Sequence, residues 1–162
     1  MLGQMNLPLT KKTFFTISGG PSFEAKNYPA YVFVKMAKEV NVPCDISIPT
    51  VDFSVPSVKD LEAGLLVAVD AILTGTPLYV GCMAGKGRTG LFMAVLAKAF
   101  GVEKPVEYVR ENYYAHAVET RDQYKFVTEF EIPLLVKKVI KKRKFMQKLA
   151  FWRSGNLTNQ VG

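Results

Sequence analysis

Residues 82–90 read CMAGKGRTG, and this string constrains the fold of the chain more than any other segment. A short apolar segment, 77–80, leads into it as an expected strand, and an apolar stretch of helical character, 91–100, follows it. The string therefore predicts a loop at a helix N-terminus, where unpaired backbone N–H groups and the positive end of the helix dipole favour an anion. Its three glycines allow successive amides to turn inward around a bound oxyanion.

The side chains of this loop indicate which anion it binds. Arg88 offers a planar, two-pronged donor suited to two phosphate oxygens, and Lys86 adds a mobile positive charge. Cys82 opens this positive environment, so we expect its thiolate to be stabilised and nucleophilic at neutral pH. The pattern predicts a phosphate pocket with a sulfur nucleophile at its floor, equipped to break a phosphate ester through a cysteinyl-phosphate. The predicted phosphate-binding residues are Met83, Ala84, Gly85, Lys86, Gly87 and Arg88.

The order of these residues resembles a known signature loop. Cys82, five further residues, Arg88 and then Thr89 resemble the loop of the cysteine-dependent protein tyrosine phosphatase superfamily, in particular its dual-specificity branch. The resemblance implies that Cys82 attacks phosphorus while the loop amides and Arg88 hold the equatorial oxygens. It further implies that the hydroxyl of Thr89 helps the thiolate to leave.

Two nucleotide-binding patterns fit the loop less well. Residues 85–90 form a G-x-G-x-x-G string after a strand, but a dinucleotide-binding fold also needs a second strand ending in an acidic residue about 20 positions later. The segment 104–114 is expected to be helical instead. A nucleotide P-loop is excluded because Gly81 lies one residue too close to Lys86 and Gly87 occupies the position that requires Ser or Thr.

The remaining hydrophobic pattern predicts an α/β fold with a central, mainly parallel sheet of about four or five strands flanked by helices. Strands are expected over 13–18 and 44–48, with a helix over 30–40 between them. Ser57 is expected to be the N-cap of a helix that runs to about residue 74. Ligands of such sheets bind beyond the carboxyl ends of the strands, where the Cys82 loop would lie.

A general acid is expected in the loop before the Ser57 helix. The leaving oxygen needs a proton, and the hydrolytic water later needs a base. The segment 48–57, IPTVDFSVPS, resembles the general-acid loop of small dual-specificity phosphatases, and the resemblance assigns both roles to Asp52. An ordinary turn aspartate is the alternative, and Asp60 is a rival acid only if the loop lies elsewhere, since it falls inside the expected helix.

A glutamine completes the set of candidate catalytic residues. The segment 118–127 resembles the family segment in which a Gln near a helix start positions the hydrolytic water, which implies this role for Gln123. Thr120 is expected to cap the helix. The same spacing also suits a surface Gln on an amphipathic helix.

Two departures from the family pattern keep alternative functions open. Gly81 stands where the family usually has a His that orders the loop, which leaves a weak pseudophosphatase that binds phosphorylated partners as one alternative. Met83 stands where the phosphoinositide 3-phosphatase family has a second loop Lys. Phosphotyrosine or phosphoserine/threonine proteins are therefore the expected substrates, with phosphoinositides and RNA 5′-triphosphates as alternatives.

Composition predicts one catalytic domain over residues 1–162, with a basic C-terminal helix or tail from about 134–162. Residues 137–162 hold eight basic residues and no acidic one, so the segment from Lys137 to Arg153 is a candidate contact for an anionic membrane or RNA. We predict no metal and no cofactor. The absence of a long apolar stretch and the need for a free thiol favour a cytoplasmic protein. The oligomeric state is not readable from the sequence.

Overall fold

The computed structural model describes residues 1–157 and contains one five-stranded sheet with the strand order β1-β2-β5-β3-β4. β1 pairs with β2 in antiparallel fashion, and the other three pairings are parallel. The predicted α/β fold with a mainly parallel sheet is therefore confirmed. The strands are β1 Gly3–Pro8, β2 Phe14–Pro21, β3 Val32–Ala37, β4 Ile46–Thr50 and β5 Leu78–Cys82, and the helices are α1 Val58–Thr74, α2 Gly87–Ala99, α3 Pro105–Asn112, α4 Arg121–Glu129 and α5 Leu134–Leu157.

The main core lies between the sheet and the helices, with α2 at its centre. Every residue of α2 from Gly87 to Ala97 is buried, so the helix that begins at the Cys82 loop is enclosed by protein. Along β5 the side chains alternate, as the period of a strand requires. Leu78 and Val80 belong to the main core, whereas Tyr79 lies on the other face and stacks on Tyr28 with 5.0 Å between ring centroids.

The helix expected over residues 30–40 is wrong, because this segment contains β3. β3 lies between β5 and β4 and is buried on both faces, so its apolar residues run almost continuously and do not show the alternation of a half-exposed strand. Such a short apolar run cannot be distinguished from a buried helix by periodicity. The edge strand β1 and a 3₁₀ helix over Ser22–Asn27 were not predicted by the sequence pattern.

The other predicted elements lie close to their expected positions. Ser57 caps α1, its hydroxyl accepting the N–H of Asp60, and Gly75 ends the helix with a φ of 78°. Thr120 caps α4 in a reciprocal capping box with Gln123. The strand expected over 44–48 is β4, which extends further and includes Pro49, a residue that an edge strand tolerates.

The last helix, α5, joins the core only through its first turns. Val136 and Ile140 are buried, whereas residues 141–153 are exposed apart from the half-buried Lys144. Among residues 1–157, no helix combines the length and the apolar character needed to cross a membrane. That residues 1–162 form a single catalytic domain remains a prediction.

Candidate active site

The loop after β5 brings a buried sulfur to the carboxyl edge of the sheet. Cys82 ends β5 opposite Pro21 of β2, and its side chain is buried. The backbone N–H of Gly85 donates to Cys82 Sγ at 3.2 Å. Gly85 has a φ of +75°, and an ideal Cβ there would lie 2.4 Å from Gly20 Cα. A side chain at position 85 is therefore excluded both by the backbone angle and by the close approach of β2.

Arg88 lies in the first turn of α2, and it is 2% exposed. Its Nη1 donates to Glu39 Oε2 at 2.8 Å and to the backbone carbonyl of Thr50 at 2.8 Å. Its Nη2 donates to Glu39 Oε1 at 2.7 Å. The guanidinium is thus held in one orientation by a bidentate carboxylate and a backbone carbonyl.

This ion pair shifts the pKa of both partners. The hydrogen bond from Arg88 lowers the pKa of Glu39, and this effect outweighs the opposing effect of burial. Burial works against the charge of Arg88, but hydrogen bonding to Glu39 and the nearby Cys82 and Asp52 outweigh it, so the pKa of Arg88 is raised. Both groups therefore stay charged across the neutral range.

Glu39 is a site residue that sequence reasoning missed. It follows β3 at the carboxyl end of the sheet, next to the strand that leads into the Cys82 loop. The available signal was an acidic residue just after an apolar run. Expecting a helix over 30–40 concealed that signal, because a residue near the end of a helix has no reason to lie at the carboxyl edge of a sheet.

Asp52 lies in the loop after β4, beside Arg88. Its Oδ1 is 2.9 Å from Arg88 Nη2 and also accepts the N–H of Phe53 at 3.1 Å. The side chain of Asp52 is 55% exposed, so its carboxylate borders solvent as well as Arg88. The rival Asp60 lies in the first turn of α1, where its carboxylate accepts the hydroxyl of Ser57 at 2.7 Å.

Gln123 lies against the acid loop but uses its amide in structural hydrogen bonds. Its Oε1 accepts the N–H groups of Glu119 and Thr120, and its Nε2 donates to the carbonyl of Ser54 at 3.1 Å. The last bond ties the loop that carries Asp52 to α4. The structure thus brings Gln123 to the site, and an ideal Cβ at Gly87 would lie 3.1 Å from its Oε1.

The other predicted loop residues differ in exposure. Thr89 is fully buried, and its hydroxyl has no hydrogen-bond partner among the residues that the structure describes. Met83 and Ala84 are exposed at the mouth of the loop. Lys86 is half-buried, and its Nζ lies 5.4 Å from the ring centroid of Tyr114, so its charge is directed over an aromatic face.

The space beside Gly81 is already filled. An ideal Cβ at this position would lie 3.0 Å from Ser22 Cα and Oγ and 3.0 Å from Phe33 Cε2. A side chain at this position, such as the usual histidine, would therefore require Ser22 or the Phe33 ring to shift by a few tenths of an ångström. Gly81 avoids this crowding.

A cavity of about 540 Å³ adjoins the loop. It borders Asp52 and Met83, and the remaining lining residues are Lys38, Glu39 and Val51. Within the part of the chain that the structure describes, no group of three or more His, Cys, Asp or Glu side chains could hold a metal ion.

Comparison with known proteins identifies the family. The family model for the Swiss Army Knife DSP-PTPase phosphatase domain, PTP-SAK, matches residues 25–131. Two uncharacterized proteins of Methanocaldococcus jannaschii are similar over 83 residues. MJECL20 is 40% identical, over 51% of this chain and 56% of that protein, and MJ0215 is 37% identical, over 51% and 52%. The aligned region thus spans about half the length of these relatives.

Solved structures share the fold at low sequence identity. A kinase associated phosphatase whose catalytic-site cysteine is replaced by serine covers 78% of this chain and 92% of its own, with a TM-score of 0.60 and 16% identity. Tk-PTP in its active form covers 77% and 95%, with a TM-score of 0.57 and 20% identity. PTPMT1 in complex with PI(5)P covers 86% and 99%, with a TM-score of 0.56 and 16% identity. The chain belongs to the PTP-SAK family of DSP-PTPase phosphatase domains.

Proposed function

We propose that the chain hydrolyses phosphate monoesters on phosphotyrosine or phosphoserine/threonine proteins through a cysteinyl-phosphate intermediate. One observation carries this proposal: a buried sulfur, a rigidly held guanidinium and a half-exposed carboxylate meet around one loop. Arg88 lies at the centre, since it contacts the candidate acid Asp52 directly and lies in the first turn of the helix that follows the Cys82 loop. These are the nucleophile, the oxyanion donor and the proton donor that the reaction needs.

In the first step the Cys82 thiolate attacks phosphorus, an S–P bond forms and the ester P–O bond breaks. The departing oxygen takes a proton from the carboxylic acid of Asp52 and leaves as an alcohol. Arg88 and the loop amides hold the equatorial oxygens, and they retain these bonds as negative charge builds up in the transition state.

In the second step water attacks the cysteinyl-phosphate. Asp52, now a carboxylate, takes a proton from the water as the P–O bond forms, and the S–P bond breaks to return the Cys82 thiolate and release inorganic phosphate. The hydroxyl of Thr89 is buried near the start of α2 without a partner among the described residues, so it is available to stabilise the leaving sulfur. Gln123 contributes by tethering the acid loop, and a role in positioning water is a further proposal.

The surroundings of the loop favour protein substrates over more highly charged ones. Met83 offers no charge at the mouth, and Lys86 is directed over Tyr114. A highly phosphorylated headgroup or a triphosphate needs further cations beside the loop, and few are present. Lys38, which lines the adjoining cavity, is one of them. PTPMT1 bound to PI(5)P and the PP-IP phosphatase SIW14 from S. cerevisiae share the fold, so inositol phosphates remain the second candidate class.

We also propose that residues 1–162 act as one catalytic domain in the cytoplasm. The proposal rests on thiol chemistry: both Cys44 and Cys82 are free, and a reducing compartment keeps a nucleophilic cysteine in the reactive form.

A further proposed contact lies in α5, where the helix extends beyond the core. Residues 141–153 are exposed apart from Lys144 and carry six basic residues without an acidic one. Phe145, Met146 and Trp152 are also exposed, at 59%, 53% and 68%. Large apolar side chains beside basic ones favour an anionic membrane surface over RNA, because the phosphates of RNA require only the charges.

Replacing Cys82 by Ser should abolish turnover of an aryl phosphate and preserve binding of a tetrahedral oxyanion such as tungstate. A serine hydroxyl does not ionise near neutral pH, whereas the loop amides and Arg88 are unchanged. Steady-state kinetics and calorimetric titration measure the two effects. A variant with wild-type turnover would contradict the covalent mechanism. Tungstate binding without turnover in the wild-type protein would indicate a pseudophosphatase.

Replacing Asp52 by Asn should lower kcat/KM for an alkyl phosphate far more than kcat/KM for an aryl phosphate with a good leaving group, because kcat/KM reports formation of the cysteinyl-phosphate and only the alkyl leaving oxygen requires protonation in that step. The matched control is Asp60→Asn: the Asp60 carboxylate accepts the hydroxyl of Ser57 in the first turn of α1, and its replacement should leave both values of kcat/KM near wild type. Equal losses on the two substrates would contradict the assignment of Asp52, as would a larger effect of the control.

Replacing Glu39 by Gln should lower kcat/KM by roughly tenfold to a hundredfold, since a hydrogen bond to a charged group is worth about 1.5–3 kcal/mol. The lowered pKa of Glu39 sets the sign of the pH effect. The stability that the Glu39–Arg88 ion pair contributes to the folded state is fully present above the ordinary pKa range of glutamate. It is lost as the pH falls through the lowered pKa of Glu39.

Urea unfolding of wild type and Glu39→Gln should therefore differ at neutral pH and converge in acid. The control is Glu62→Gln on the exposed side of α1. A stability difference that persists in acid would mean that the Arg88 pair is not its source, and an unchanged kcat/KM would mean that Glu39 does not hold the productive orientation of Arg88.

Neutralising Lys141, Lys142, Arg143 and Lys144 by Gln should weaken binding to phosphatidylserine-containing vesicles by at least roughly tenfold. Each basic residue near an anionic membrane is worth about 1 kcal/mol. Turnover of a small aryl phosphate should stay near wild type. Vesicle sedimentation at low and moderate salt measures the effect.

The control for this experiment replaces four exposed lysines elsewhere, at positions 11, 12, 59 and 104. Equal losses in both variants would indicate only a general charge effect. A loss of RNA binding without a loss of vesicle binding would identify RNA as the partner.

A further inference from the structure

The loop contacts a tyrosine that the proposed mechanism does not use. Tyr113 follows α3, and its hydroxyl donates to the backbone carbonyl of Gly85 at 2.6 Å. We propose that Tyr113 is a positioning residue that orders the phosphate-binding loop in place of the usual histidine, whose position is occupied by Gly81. This inference rests on the proposed function of the loop.

The hydrogen bond acts on the peptide that joins Gly85 to Lys86. The carbonyl of Gly85 and the N–H of Lys86 belong to one planar trans peptide, so they point in opposite directions. Because Tyr113 lies outside the loop and holds the carbonyl, it directs the Lys86 N–H toward the concave side. The preceding N–H, that of Gly85, donates to Cys82 Sγ at 3.2 Å. The two amides on either side of Gly85 are therefore fixed by two different contacts.

The ring of Tyr113 is itself held by a pair of glycines. Gly3 of β1 and Gly19 of β2 are directly paired across the sheet. An ideal Cβ at Gly19 would lie 2.9 Å from the Tyr113 hydroxyl, and one at Gly3 would lie 3.3 Å from its Cδ2. Both glycines thus leave space that the tyrosine ring occupies, and the edge strand β1 has a role in supporting the site.

The hydroxyl remains a donor under working conditions. Burial raises the pKa of Tyr113, and the nearby Cys82 raises it further. A phenol that stays protonated above neutral pH keeps donating to the Gly85 carbonyl.

The test compares Tyr113→Phe with Tyr108→Phe. Each substitution removes one hydroxyl and keeps the ring, and Tyr108 donates to the carbonyl of Asn6 at the same distance, 2.6 Å, away from the loop. Tungstate affinity by calorimetry, kcat and KM for an aryl phosphate, and the urea unfolding midpoint are measured for both. Tyr113→Phe should weaken tungstate binding and lower kcat/KM by roughly tenfold, the order expected for one lost hydrogen bond, whereas Tyr108→Phe should leave both near wild type.

A purely structural role would change the unfolding midpoint and leave oxyanion affinity unaltered, and that result for Tyr113→Phe would overturn the proposal. Equal losses of tungstate affinity in the two variants would also overturn it. If Tyr113→Phe does not fold, Gly19→Ala provides the second test: the added methyl would lie 2.5 Å from the flexible end of Met93 and 2.9 Å from the Tyr113 hydroxyl, and moving this hydroxyl should weaken tungstate binding. If the wild-type protein shows no turnover but Tyr113→Phe still weakens tungstate binding, the positioning role is supported and the proposed phosphatase activity is contradicted.

Discussion

The arrangement of the site depends on how Arg88 is held. A buried guanidinium is costly unless its donors are satisfied, and here Glu39, the carbonyl of Thr50 and Asp52 satisfy the two terminal nitrogens. These partners come from the segments after β3 and at the end of β4, so a single side chain joins the carboxyl ends of two strands to the start of α2. The same contacts that remove the cost of burial fix the direction in which the guanidinium meets an oxyanion.

The loop around the sulfur is built by close backbone approach. Gly85 fits against Gly20 of β2, Gly87 against Glu119 and Gln123, and Gly81 against the 3₁₀ helix and Phe33. Under the proposed mechanism, a loop backbone held by such contacts binds an oxyanion without reorganisation, which is the property that makes preorganised donors effective in a transition state. Around Cys82 the loop therefore packs through its backbone at the glycines, and Tyr113 adds a side-chain hydrogen bond from outside the loop.

Structural features that depend on residues close together in sequence were predictable. The strand before Cys82, the helix after it and the caps at Ser57 and Thr120 depend on neighbours within a few residues, and each lies where the sequence indicates. Asp52 could be located by its distance from the Ser57 helix, and it lies beside Arg88. These elements define most of the fold and bring the candidate nucleophile and acid to one end of the sheet.

Features that depend on distant pairing were not predictable. β3 is buried on both faces, so its sequence has no alternation, and mistaking it for a helix concealed Glu39. Tyr113 reaches Gly85 across 28 positions in sequence, and its place depends on two glycines paired across β1 and β2. The resemblance implies that Gln123 positions the hydrolytic water. Its hydrogen bonds to residues 119, 120 and 54 indicate that it also holds the acid loop in place.

Trapping the intermediate tests most directly whether the phosphoryl group is transferred to Cys82 before it reaches water. Asp52→Asn, incubated with an aryl phosphate and quenched in acid, should accumulate a phosphoryl group, because the base that activates water for the second step is missing. Peptide mass spectrometry should locate that group on Cys82, and Cys82→Ser should remain unlabelled. Turnover without a phosphoryl group on Cys82, or with one on another residue, would contradict the account.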